Sequence, residues 1–254
     1  MESQMKVQET GEDSRSQTSS TVSLSELRIV LLGFRFAGKS SAGNKILGCK
    51  RFELKRTAQC VTRQGEVAGR RITVVEAPGW FVNQTFEGST EFSKQEIVLS
   101  VTKCPPGPHC LLLVINVGSK FKAKQRKAVE KHLKLFPERV WSHTLVLFTH
   151  GDWLRDTPIE QHIKIKGEDL QWLVEKCGNR YHVLNNMNRS DKTQVTELLE
   201  KIEKMVAANS GGYFEIDRRI LQEVEEKRRT EVERAETRRM KVQKQREDIR
   251  AKIG

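Results

Sequence analysis

At 254 residues, 37% hydrophobic and 31% charged, the chain can hold one sizeable core plus an appendage under a strongly wetted surface. Its net charge of +12 is spread among abundant acid, so no specific nucleic-acid partner is indicated, although a basic face can lean on an anionic membrane. No apolar run reaches the length of a membrane span, and the N-terminus lacks the apolar segment of a secretory signal.

The five cysteines, Cys49, Cys60, Cys104, Cys110 and Cys177, form no C-x-x-C pair. Their odd number and scattered spacing argue against a zinc site or a disulfide scaffold and fit a reducing, cytoplasmic setting. Residues 1–25 are polar and Ser/Thr/Gln-rich, which reads as a disordered lead-in.

Residues 29–32 form a continuous apolar run suited to a strand buried on both faces. The stretch Gly33, Phe34, Arg35, Phe36, Ala37, Gly38, Lys39, Ser40 then completes G-x-x-x-x-G-K-S, and Ser41 leads into a helix-compatible segment through Leu47. Strand, glycine loop and helix are the context in which this pattern means phosphate binding. The glycines let successive N–H groups face an anion, and the helix start adds unpaired donors and its favourable dipole end. Lys39 can reach β- and γ-phosphates, and the Ser40 hydroxyl can bind Mg²⁺.

Residues 51–62 are mixed in character and read as a loop crossing the nucleotide, with a hairpin strand and turn over 65–70. A strand over 71–76 is stopped by Ala77-Pro78-Gly79. Trp80, Phe81 and Phe86 make the next loop aromatic, which suits either packing on a neighbouring helix or a partner surface. A helix is expected over 92–101, a central parallel strand over 110–117, a helix over 120–136 and a buried strand over 144–149. That last strand ends at His150-Gly151-Asp152, where a base-reading loop belongs.

A helical crossover is expected over 159–177, with Ile163, Leu170, Leu173 and Val174 inward. A strand over 181–184 runs into Asn185-Asn186, and a closing helix through Val206 is ended by Gly211-Gly212. The order predicts an α/β fold, a P-loop Ras-like G domain over 26–213 with a mostly parallel sheet. From 214 to 254 the composition turns to Glu, Arg and Lys, which reads as a long charged helix held by i,i+4 pairs such as Glu225–Arg229. Self-association or membrane-surface contact are the other readings of that tail, its apolar seam being too broken for a strict heptad coiled coil.

Phosphoryl transfer needs charge neutralisation, a placed metal and an oriented water more than a protein nucleophile. Thr57 and Thr62 compete for the second metal-binding hydroxyl, and Glu76 is the strand-end acid that can hold a metal-bound water. Gly79 can donate its N–H to a γ-phosphate. Trp80 follows where a water-orienting Gln would stand, which predicts slow intrinsic hydrolysis. Asp152 can accept from guanine N1 and N2, His150 can stack on a base, and Asn186 or Asn185 can reach guanine O6 or N7.

The chain resembles the AIG1-type (GIMAP, immune-associated nucleotide-binding) GTPases over residues 27–214. The resemblance rests on the phosphate loop with its Ser-Ala-Gly-Asn-Lys-Ile-Leu-Gly continuation, on VAGRRITVVEAPGWF, PGPHCLLLVI, LVLFTHGDWL and CGNRYHVLNN. Pro106-Gly107-Pro108-His109 reproduces the box diagnostic of that family. The resemblance selects Thr57 over Thr62 and carries base contacts to Asp152 and Asn186. It implies GTP/GDP and Mg²⁺ as ligands, a nucleotide-dependent homodimer or oligomer, related GTPases as further partners, and peripheral contact with intracellular membranes.

Three departures stand out: Glu76 replaces the usual aspartate, His150 the usual arginine before the base-reading acid, and Gly118-Ser119-Lys120 carries no arginine. Lys120 is the remaining cation there, without the donor fork of arginine. The expectation is a weak GTPase, with a GTP-dependent scaffold of negligible turnover as the alternative.

Overall fold

The computed structural model describes residues 24–253 apart from Arg56, Gln84, Asn186 and residues 188–190. The expected lead-in up to residue 23 and the base contact assigned to Asn186 therefore lie outside the described residues.

Six strands form one sheet: β1 (Glu26–Gly33), β2 (Val61–Val67), β3 (Arg70–Glu76), β4 (Cys110–Asn116), β5 (Thr144–Thr149) and β6 (Tyr181–Val183), in the order β2-β3-β1-β4-β5-β6. Only β2 is antiparallel to its neighbour. The flanking helices are α1 (Lys39–Ile46), α2 (Glu91–Leu99), α3 (Ala123–Leu133), α4 (Ile159–Lys166), α5 (Glu168–Lys176) and α6 (Thr193–Ala208), followed by the long α7 (Arg218–Ile253). This is the Ras-like G-domain arrangement.

Central strands read as unbroken apolar runs because both faces are covered: every residue of β5 is buried, as is β1 from Leu27 onward. The edge strand β2 is mixed in sequence and only partly buried. It turns into β3 through Ala68 and Gly69, both at positive φ (51° and 73°), the geometry of a two-residue hairpin.

Two expected helices differ from what forms. The crossover over 159–177 is two helices, because Gly167 at φ +100° breaks the chain between α4 and α5. Ile163, Leu170, Leu173 and Val174 are nonetheless all buried. The helix expected over 120–136 starts only at Ala123, where Gln125 returns its side chain to the Lys122 N–H at 3.1 Å.

The Pro-Gly-Pro-His box lies at the end of the sheet opposite the phosphate loop. Arg28 near the start of β1 donates through Nε to the Gly107 carbonyl (2.6 Å) and through its backbone N–H to His109 Nδ1 (3.0 Å). The Phe214 N–H donates to the Pro108 carbonyl at 2.7 Å, and a Cβ on Gly107 would lie 2.3 Å from the Phe214 carbonyl oxygen. Phe214 is 1% exposed and meets Phe136 and His143 edge-on. The residue at which composition shifts is thus a core residue, and the box ties it to β1 and β4.

Helix α7 lies against α2. Arg228 Nη1 reaches Glu96 Oε1 at 2.5 Å and its guanidinium sits over Phe92, while Ile216, Ile220 and Val224 are half-buried. Glu96 is 2% exposed, and its second oxygen accepts the Cys60 N–H at 2.8 Å. Arg228→Ala leaves that buried carboxylate without its cation, so the expected cost is about 1–3 kcal/mol of stability, read as a lower urea midpoint, with partial recovery in Arg228→Lys.

Burial pushes three histidines, His109, His132 and His182, down to about 4. The unfolded chain then takes up protons near pH 6.5 before the folded one does, so stability is complete above pH 6.5 and is lost as pH falls toward 4. Each contributes a loss of at most about 1.4 kcal/mol per pH unit. Glu76, whose carboxyl is raised by burial, works in the opposite direction. Urea midpoints at pH 7 and pH 5 are expected to differ clearly, and His109→Gln should flatten the difference.

Candidate nucleotide site

The C-terminal end of β1 sets the site. Gly33 has φ +141°, and a Cβ there would fall 2.5 Å from the Val114 carbonyl on β4, so only glycine lets the chain leave the sheet at this point. Gly38, at φ +93°, packs against Thr149, whose Oγ1 donates to the Ala37 carbonyl at 2.6 Å. β5 thereby braces the loop. Phe34 and Ala37 are buried, whereas Phe36 is 82% exposed at the loop tip.

Lys39 opens α1 and is buried. Its Nζ donates to the Phe34 carbonyl at 3.0 Å, with the Gly33 carbonyl at 3.4 Å. Burial lowers its pKa to about 8, with Glu76 opposing and Arg35 adding to the shift. Ser40 Oγ donates to Glu76 Oε1 at 2.8 Å. Burial raises the Glu76 carboxyl, while Lys39 and Ser40 pull it back. Gly79 closes over the loop so tightly that a Cβ would lie 2.5 Å from Lys39 Nζ and 2.9 Å from the Arg35 nitrogen.

These groups surround a cavity of about 470 Å³. Arg35, Phe36, Gly38, Lys39, Ser40, Ser41, Thr57, Glu76, Gly79 and His150 line it, together with Leu54 and Lys55. The last two were not singled out in the sequence; their only signal is that they precede Thr57. Lys120, four residues past the end of β4, is exposed and is not among the lining residues.

Ser40, Thr57 and Glu76 offer oxygen donors, the kind Mg²⁺ takes. Among the described residues no group of three His, Cys, Asp or Glu side chains could hold a metal unaided. A cation here would therefore draw its remaining ligands from phosphate and water. The donor set fits Mg²⁺ in that sense.

At the other end, His150 adopts φ 58° and its ring lies 4.8 Å from that of Trp153. Asp152 sits in a 3₁₀ turn (Gly151–Leu154), and its Oδ1 is buried without a hydrogen-bond partner among the described residues. An unmet buried acceptor at the end of β5 suits a ligand that brings N–H donors. Asn185 Oδ1 accepts the Met187 N–H at 2.9 Å, which gives that side chain a role in the turn.

Trp80 is buried, stacked on His132 at 4.3 Å and edge-on to Phe34, and Phe86 meets the His132 ring edge-on at 4.9 Å. Packing on α3 thus accounts for both, and no water-orienting side chain follows Gly79. Asn44 carries a role that was hidden in the sequence. Its Oδ1 accepts the N–H groups of Arg51 and Phe52 (2.7 Å each), its Nδ2 donates to the Phe52 carbonyl, and Phe52 lies where a Cβ on Gly43 would clash at 2.7 Å. The Gly43-Asn44 pair fixes the start of the loop that carries Thr57.

A mostly parallel sheet with this phosphate loop, and a strand-end acid bonded to the loop serine, defines a P-loop domain of the Ras-like G type. The AIG1 family model matches residues 27–236, and the chain belongs to that family. It is 32% identical to the human "GTPase IMAP family member 8" over 198 residues, covering 75% of this chain and 29% of that protein. Curated relatives are longer: the chain spans 26% of a mouse relative and 62% of an Arabidopsis one.

In fold it resembles Toc33 from Arabidopsis thaliana in complex with GDP and Mg²⁺, with a TM-score of 0.62 at 16% identity, covering 76% of this chain and 89% of that one. It also resembles a structure of the chloroplast translocon components atToc33 and psToc159, for whose GTPase activity dimerization is important. There the TM-score is 0.57 at 15% identity, covering 72% and 83%.

Proposed function

We propose that the domain over residues 26–213 binds Mg–GTP and hydrolyses it slowly to GDP and phosphate, and that the bound nucleotide controls pairing with a second copy or a related GTPase. The observation that carries this reading is the convergence of Lys39, Ser40, Thr57, Glu76 and Gly79 on one cavity. Lys39 and the loop N–H groups would neutralise the phosphates, with Ser40, Thr57 and Glu76 around the metal. Mg²⁺ would supply charge compensation for the phosphates when bound. His150, Asp152 and Asn186 would hold guanine. Membership of the AIG1 family and the GDP and Mg²⁺ bound by Toc33 support the ligand assignment.

A second reading, a GTP-dependent scaffold with negligible turnover, is favoured by the packing of Trp80 on α3 and by the place of Lys120 outside the cavity. Dimerization is important for the GTPase activity of the translocon components of similar fold, which favours a paired state here. No helix among the described residues is long and apolar enough to cross a membrane. A cytoplasmic protein touching intracellular membranes peripherally, with 214–254 as a charged helical extension, completes the proposal. Single-turnover hydrolysis of γ-labelled GTP across a range of protein concentration tests it. A rate that climbs with concentration supports catalysis by a pair, and a flat background signal supports the scaffold.

A further inference from the structure

The Arg35 side chain projects from the phosphate loop and lines the cavity beside Lys39. Its Nε donates to the Gly79 carbonyl at 3.0 Å, its backbone N–H donates to the Trp80 carbonyl at 2.7 Å, and its guanidinium lies 3.8 Å from the centre of the Phe81 ring. All three contacts are to the segment that closes over the phosphate loop. Arg35 therefore stands at the end of the cavity where Gly79 and Lys39 nearly touch, which is where a terminal phosphate would enter.

The charge balance at this end is lopsided. Among the lining residues Arg35, Lys39 and Lys55 are cations and Glu76 is the one acid. Arg35 also disfavours the charge on Lys39, so the two cations sense each other. Lys39 is buried and Arg35 half-buried, and an anion with several charges would relieve the repulsion between them. A guanidinium presents parallel donors matched to phosphate oxygens, which the exposed ammonium of Lys120 cannot imitate.

We propose that Arg35 binds the γ-phosphate in cis, supplying from the phosphate loop itself the guanidinium that is missing after β4, and that it exchanges the Gly79 carbonyl for phosphate oxygens when a triphosphate binds. This rests on the Mg–GTP reading above and adds to it the residue that separates triphosphate from diphosphate. Withdrawal of the guanidinium from Gly79 and Phe81 couples the γ-phosphate to the position of the 79–81 segment. A purely structural Arg35 would hold that segment equally in every nucleotide state.

Calorimetric titration of the full chain with GDP and with a non-hydrolysable GTP analogue, both with Mg²⁺, separates the two. In Arg35→Ala and Arg35→Gln the ratio of analogue to GDP affinity is expected to fall about 10- to 100-fold, with Arg35→Lys recovering part of it. Arg35→Gln keeps a donor for Gly79, so it guards against simple loss of the fold. An unchanged ratio in folded variants, or a ratio that rises because Arg35 had been in the way, overturns the inference. Wild-type protein that binds neither nucleotide would remove the nucleotide reading and this inference with it.

Discussion

Lys39→Ala is expected to weaken Mg–GTP binding by at least about 100-fold, because it removes the buried cation that the proposed function places against the β- and γ-phosphates. Nζ is held by the Phe34 and Gly33 carbonyls and is shielded from water. The ammonium is thus pre-placed and poorly solvated, and a phosphate gains more from it than from an exposed lysine. Its pKa of about 8 adds a second signature. A bound phosphate favours the charged form and raises that value, so binding above pH 8 takes up a proton. Wild-type affinity should therefore fall as pH rises through 8, and the Lys39→Ala protein should lack that slope. Because the variant also relieves the folded protein of a desolvated charge, its melting temperature should hold while binding collapses. Unchanged affinity by calorimetry would contradict the role given to the loop.

Strands covered on both faces were legible because burial leaves no room for polar alternation. The sequence reading of a strand over residues 144–149 coincides with β5 for this reason. The break at Gly167 was not legible, since Ile163, Leu170, Leu173 and Val174 keep a helical spacing across it while one glycine at positive φ divides the helix. Phe214 looked like the start of a tail because it follows Gly211-Gly212 and the residues after it turn charged, yet its contacts are with residues far earlier in the chain.

The Pro-Gly-Pro-His box shows the difference between recognising a motif and placing it. Its residue types were plain, but only strand order puts it at the end of the sheet remote from the phosphate loop. The same holds for the bond between Glu96 and Arg228, which no local pattern announces. Within the site, the loop residues were legible because G-x-x-x-x-G-K-S is local. Thr149 as its brace and Arg35 as its link to Gly79 required the fold.

Asp152→Asn is expected to move nucleotide preference from GTP toward XTP, with GTP affinity falling about 100-fold and XTP gaining about as much. Guanine presents N–H donors at N1 and N2, and Asp152 Oδ1 is a buried acceptor whose bonding capacity is unspent among the described residues. Asparagine keeps the size and the turn of Gly151–Leu154 but can present its amide NH₂ where the acceptor stood. Two donors then face each other across guanine, whereas the second carbonyl of xanthine accepts that amide. The penalty is large because the group is shielded from water, which leaves no solvent to repair the mismatch. Competition of labelled GTP by XTP, GTP and ATP reads the result directly. A variant that keeps wild-type GTP selectivity would show that Asp152 does not touch the base, and competition by ATP as strong as by GTP in the wild type would show that the base is not read as guanine at all.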